Sequence, residues 1–292
     1  MLGMREIRRR IRTVNSIQQI TRAMEMVAVS RLKRAEERLR SARPYAEKIQ
    51  ELMQSMAPSL PRIEHPLLAQ REPLRTAVAL ITSDKGLCGA FNANIIQHAN
   101  RFIEENSGKE IKLFLVGKKG HDFFSRRPYS IEYYLPQVSR DISPQEVKEI
   151  STSFMQGFEK GLYDEAYLFY TQFRTAMHTI PTRTKLLPIE SPEPEPQQGA
   201  QEPIFEPSAE EIMNELLPRY IEAQVYKGLV ESSASEQGSR MVSMKNATDN
   251  AEEMIRSLTL SYNKARQASI TKEIIEVTTA SEALKYARES GR

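Results

Sequence analysis

Apolar residues in the first sixty positions recur at Ile7, Ile11, Val14, Ile17, Ile20, Met24, Ala28, Leu32, Ala35, Leu39, Ala42, Ala46, Ile49, Met53 and Met56. The mean step is about 3.5 residues, the period of a coiled-coil seam rather than of a strand. No glycine lies between Gly3 and Gly86, and no proline precedes Pro44. One helix is therefore predicted from about Met4 to Ala57, ~80 Å long at ~1.5 Å per residue. A lone helix draws little stability from propensity, so the stripe must be covered. A single globular core of that length is beyond a chain of this size, which points to a second helix.

The other end of the chain carries such a helix. Ser208 and Glu211 stand at capping-box spacing, and a helical pattern runs from there to about Leu284, with Pro218 a point where one backbone donor is missing. Leu216, Tyr220, Ala223, Val230, Ala234, Met241, Met244, Ala251, Ile255, Leu258, Tyr262 and Ala265 keep the same register, interrupted by the polar Lys227, Gln237 and Thr248. The period is the same for either chain direction. Economy favours the antiparallel choice, which brings residue 57 near residue 210 and residue 4 near about residue 263. Residues 264–284 then overhang by roughly 30 Å, and they include Ile270, Ile274, Ile275 and Val277. Another protein is expected to surround that tip.

Between the helices the pattern changes. "RTAVALITS" (75–83), "IKLFLVG" (111–117) and "EAYLFYTQF" (165–173) are short buried-strand runs, with "SIEYYL" and "TKLLPI" as weaker ones. Helical segments near 91–106, 118–127 and 144–161 alternate with them. This β-α-β rhythm predicts a mostly parallel sheet with helices on its faces. The organisation expected is an N-terminal shaft helix at 1–60, an α/β globular domain at 61–190, a Pro/Glu-rich linker at 191–207 and a C-terminal shaft helix at 208–292. The fold class is thus α/β plus a long antiparallel coiled coil, with a Rossmann-like domain inserted between the shaft helices.

Composition narrows the function. At 292 residues, 40% hydrophobic and 27% charged, the chain has an ordinary folded balance. Its apolar runs fall well short of the ~20 residues that span a bilayer, and the basic N-terminus lacks the apolar stretch of a signal peptide. Glu6, Glu25, Glu36 and Glu37 argue against a transit peptide, which is poor in acids. The net charge of +3 is concentrated in the first sixty residues, where 13 Lys and Arg face 6 Asp and Glu. Those acids are interleaved with the bases, which favours a solvated face or a dock for an acidic protein over nucleic acid.

Candidate chemistry is sparse. The single cysteine, Cys88, excludes an internal disulfide and a multi-cysteine zinc site. His65, His98, His121 and His178 show no ligand spacing, so no metal is expected. "SDKGLCG" (83–89) follows a strand as a phosphate loop would, but matches neither G-x-x-x-x-G-K-[ST] nor G-x-G-x-x-G. "VGKKGHDFF", with Gly117, Lys118 and Lys119, has incomplete phosphate spacing and reads as a solvated basic loop. Cys88 stands where a helix N-terminus would lower a thiol pKa, yet no histidine is linked to it in sequence. No bound cofactor and no catalytic residue are expected.

The two ends, the strand and loop "ITSDKGLCGAFNANI", and the stretches "ASEQGSRMVSMKNATDNAEEMI" and "LSYNKARQASITKEIIE" resemble the gamma subunit of F-type ATP synthase, in a bacterial-like form. Ile270, Thr271, Glu273 and Glu276 match the family's C-terminal signature, whereas Ala280 and Ser281 replace its Gly-Ala. The cysteine-bearing regulatory insert of the chloroplast form is missing. The resemblance implies a non-catalytic axle, one copy per complex, inside a ring of alpha and beta subunits and seated on an epsilon subunit and a membrane c-ring. Proton or sodium flow through that ring would turn it. The implied location is the cytoplasmic face of a bacterial inner membrane, with no span of its own.

Carried over by motif, Met24, Lys85, Arg240, Arg266, Gln267 and Thr271 are the implied contacts with the catalytic ring. Ile270, Ile274 and Val277 are the implied sleeve-buried tip, and Phe205 and Glu206 the implied foot on the c-ring. Met24 also fills a seam position, and Arg240 and Arg266 also fit a solvated helix face. Two other classes suit the bare pattern: a homodimeric coiled-coil scaffold with an α/β head, and a small α/β enzyme using Cys88.

Overall fold

The computed structural model describes residues 4–56, 64–136, 142–190 and 208–289. The chain falls into two compact units, one of Val27–Ser243 and the other of Met1–Met26 with Met244–Arg292. Helices α1 (Met4–Met56) and α5 (Ala209–Glu289) contribute to both. α5 starts where expected, with the Ser208 hydroxyl accepting from the Glu211 N–H at 3.2 Å. It continues through Pro218 and past Leu284 without a break.

In the larger unit, β1 (Arg75–Ile81), β2 (Glu110–Val116), β3 (Ser130–Leu135), β4 (Glu165–Thr175) and β5 (His178–Leu187) form one sheet in the order β3-β2-β1-β4-β5. The first three and β4 run parallel, and β5 returns antiparallel beside β4. The expected β-α-β rhythm is therefore present, completed by a hairpin. β5 also corrects the expected "TKLLPI" strand: it begins at His178 and stops before Pro188. Its first half is polar and contains Pro181, which hides it from a search for apolar runs.

β1 is buried on both faces because successive side chains point opposite ways. Val78 and Leu80 pack with α2 (Phe91–Glu105) and with Phe124 of α3 (Lys118–Phe124). Ala77, Ala79 and Ile81 face α4 (Pro144–Glu159), the end of α1 through Met53 and Met56, and the start of α5 through Met213, Leu217 and Ile221. Small residues under the larger helical layer leave room for these three helices. Further along, Leu32 and Ala35 of α1 pack with Ala234 of α5.

In the smaller unit α1 and α5 pair antiparallel. Thr21 and Thr248 bring their hydroxyls to 2.8 Å, and the Arg8 guanidinium donates to the Tyr262 hydroxyl while lying 5.3 Å from its ring centre. The pairing lies within one chain. One part of the expected seam is corrected here: Ile17 and Ile20 are 47% and 58% exposed, while Gln18 and Thr21 take the inward positions. The Thr21–Thr248 contact draws the seam one residue along, because a buried hydroxyl needs a partner.

Candidate partner-contact sites

The loop from Thr82 to Ala90 joins β1 to α2. Its shape is set by the Ser83 N–H and the Asn92 side chain, whose Oδ1 accepts at 2.9 Å, and by the Asn92 Nδ2, which donates to the Ser83 hydroxyl at 2.8 Å and to Cys88 Sγ at 3.2 Å. The Ser83 hydroxyl donates to the Lys85 carbonyl at 2.7 Å. Leu87 takes a positive φ and is exposed, and the Lys85 side chain also faces outward. Asn92, Ser83 and Asp84 are the organising residues that motif reasoning missed. The available signal was a polar residue in the first turn of a helix that lacks a side-chain cap.

Arg240 of α5 closes over this loop. It is buried, pairs with Glu236 one turn earlier at 2.6 Å, and donates over 3.4 and 3.3 Å to the carbonyls of Lys85 and Gly86. Burial pushes the Glu236 carboxyl up, and Arg240 opposes that shift. The solvated-face reading of Arg240 is corrected by this geometry. Thus two of the expected ring contacts meet: Lys85 presents its ammonium while Arg240 holds the backbone beneath it.

Cys88 is 1% exposed, and burial pushes its thiol up from the ordinary value despite the Ser83 hydroxyl and the Arg240 charge. A nucleophile needs the opposite shift. The "VGKKG" turn is likewise committed to its own chain. Asp84 accepts from the Lys118 N–H at 3.0 Å, the Ser83 carbonyl accepts from Lys119, and the Thr82 hydroxyl accepts from Gly120. Gly117 is required there: its φ is +92°, and a Cβ would lie 2.1 Å from the Thr82 carbonyl oxygen. Protein groups thus occupy the amides that a phosphate would use.

The α5 tip has a different character. Arg266, Gln267 and Thr271 are exposed, the Thr271 hydroxyl donating back to the Gln267 carbonyl at 2.9 Å. Ile270, Ile274, Ile275 and Val277 are 48%, 61%, 59% and 70% exposed. They lie eight or more residues beyond Tyr262, the partner of Arg8, whereas described α1 continues only four residues past Arg8, to Met4. Met24 is half-buried on α1. Phe205 and Glu206 lie outside the described residues.

The sequence profile of the ATP synthase family matches residues 3–284. The ATP synthase gamma chain of Heliobacterium modesticaldum is 45% identical over 291 residues, covering 97% of this chain and 100% of that one. The chain belongs to the ATP synthase gamma chain family. Members of the family are non-catalytic stalk subunits, and the buried, high-pKa Cys88 agrees with that role. The central-stalk chain in the Tetrahymena thermophila mitochondrial ATP synthase is 28% identical, covers 78% of this chain and 99% of its own, and superposes with a TM-score of 0.61. A chain of the Euglena gracilis mitochondrial ATP synthase, at 16% identity, a TM-score of 0.66 and coverage of 98% and 95%, shares the fold. Among the described residues of this gamma chain, no helix is long and apolar enough to cross a membrane.

Proposed function

We propose that this gamma chain is the rotating axle of a bacterial ATP synthase, present once per complex at the cytoplasmic face of the inner membrane. The exposed apolar tip at Ile270, Ile274 and Val277 carries the reading: α5 extends beyond its intramolecular partner with a surface suited to an apolar sleeve. In this reading a ring of alpha and beta subunits supplies the sleeve, and Met24, Lys85, Arg266, Gln267 and Thr271 make polar and apolar contacts with it, while Arg240, buried beneath the Lys85 loop, acts on the ring through that loop. Phe205 and Glu206 form the foot on the c-ring, beside the epsilon subunit. Proton or sodium flow turns the c-ring and the axle. The asymmetric axle then favours a different state of each beta subunit in turn, which is conformational work by differential contact. The cations at Lys85 and Arg266 suit acidic levers on beta, where charge sets register and specificity. The gamma chain itself needs no cofactor.

A cysteine at Ile274, in a Cys88→Ser background, tests the sleeve. Its labelling by a water-soluble maleimide should slow by about tenfold or more when the chain is assembled with alpha and beta, since thiol reactivity follows access. Equal rates in free and assembled chains contradict the sleeve.

A further inference from the structure

Thr171 of β4 sits where the sheet runs out of partners. β1 pairs with β4 only as far as Leu80 and Phe169. On the other side Thr171 pairs with Pro181, whose missing N–H fits a position where the backbone groups of Thr171 turn away from β5. The backbone of a strand residue directs its N–H and C=O to the same side; those of Thr171 turn to the side that β1 has left, and need a partner from outside the sheet. α5 provides it. The Thr171 N–H donates to the Ser232 hydroxyl at 3.1 Å, and the Ser235 hydroxyl donates to the Thr171 carbonyl at 3.1 Å. Both serines are buried, at 2% and 0% exposure. Two hydroxyls nearly one helical turn apart thus replace a missing strand.

The approach is close as well as polar. A Cβ at Gly228 would lie 2.9 Å from the Leu168 side chain, and one at Gly238 would lie 3.0 Å from the Ala176 Cα. Arg240 adds a second attachment through the Lys85 and Gly86 carbonyls. At ~100° per residue, Arg240 lies about 140° around the helix from Ser235. Bonds on two sides of a helix resist its rotation about its own axis, and bonds to one fixed strand residue resist sliding.

We infer that Ser232 and Ser235, with Thr171 between them, form a torque key that fixes the rotational phase of α5 on the α/β sheet. This rests on the axle reading, because a phase lock has mechanical value only in a part that transmits torque. Each serine is a positioning residue. The hydroxyls add directional bonds to the close contacts at Gly228 and Gly238, which set the same face of the helix against the sheet.

The test uses the assembled complex with Ser232→Ala, Ser235→Ala and the double variant. Two quantities are read: hydrogen exchange at the Thr171 amide, and the torsional stiffness of the gamma chain, measured by twisting a bead on its α/β head while the ring is immobilised. Loss of the Ser232 acceptor should accelerate Thr171 exchange, and the double variant should lower stiffness by about twofold or more. Ser235→Ala alone should soften the joint while leaving the Ser232 bond, so a folding failure of the double variant does not end the test. Unchanged exchange in Ser232→Ala, or unchanged stiffness in a correctly assembled variant, overturns the key. If instead the wild-type gamma chain does not rotate in the ring, the axle reading fails and the key is not at issue.

Discussion

Thr21 and Thr248 place their hydroxyls 2.8 Å apart within the buried seam of α1 and α5. Arg8 and Tyr262 continue the same pairing, because a step back along α1 matches a step forward along α5. Within the larger unit, Ala35 of α1 packs with Ala234 of α5. Each unit thus holds its own packing of the two helices, made by a single chain.

Cysteines at Thr21 and Thr248, with Cys88→Ser, should therefore form an intramolecular disulfide, since cross-links need Cα separations of ~4.4 to 6.8 Å. Non-reducing electrophoresis reads the outcome. Exclusive formation of dimers contradicts the pairing and favours the scaffold alternative. Thr248→Val alone should cost about 1 kcal/mol, the usual worth of one such bond, measured as a shift in the unfolding midpoint.

Much of this was legible in the sequence, and the errors have physical causes. A 3.5-residue period is blind to chain direction, so the antiparallel arrangement needed an argument from economy. The period also selected Ile17 and Ile20, because a hydrophobicity count cannot see that Thr21 and Thr248 satisfy each other. Arg240 read as a surface cation for the complementary reason: the Lys85 and Gly86 carbonyls that receive it lie far away in sequence. Ser232 and Ser235 gave no signal, since their partner is backbone left open only by the end of β1.

Acid should destabilise the sheet's lower edge through Asp164. Burial raises its pKa, but the Arg75 side-chain hydrogen bond and the Arg75 and Leu74 amides outweigh that and hold the carboxyl below its usual range. A depressed folded-state value contributes stability that is present above the unfolded value and lost as pH falls through the folded one. Asp164→Asn should therefore cost about 2 kcal/mol at neutral pH, with the difference from wild type closing below about pH 3.8. Urea titrations at several pH values check this. A penalty that persists unchanged at the lowest pH contradicts it.

Cys88→Ser should leave ATP synthesis by the assembled complex nearly unchanged. The thiol is buried, its pKa is raised, and its neighbours Ser83 and Asn92 supply no base. A thousandfold loss in a normally assembled complex would restore the enzyme alternative.

The central claim is that this gamma chain turns within its ring, and a reversible lock tests it most directly. Lys85→Cys in a Cys88→Ser background places a thiol on the exposed loop held by Arg240. It is paired with a cysteine on the facing surface of one beta subunit, and steady-state ATP hydrolysis is measured before oxidation, after oxidation at verified cross-link yield, and after reduction. An axle bound to one of several equivalent partners cannot complete a turn. The account predicts an active enzyme before oxidation, arrest in proportion to cross-link yield, and recovery on reduction. A fully cross-linked complex that keeps its steady-state rate would make gamma a static scaffold and contradict the account.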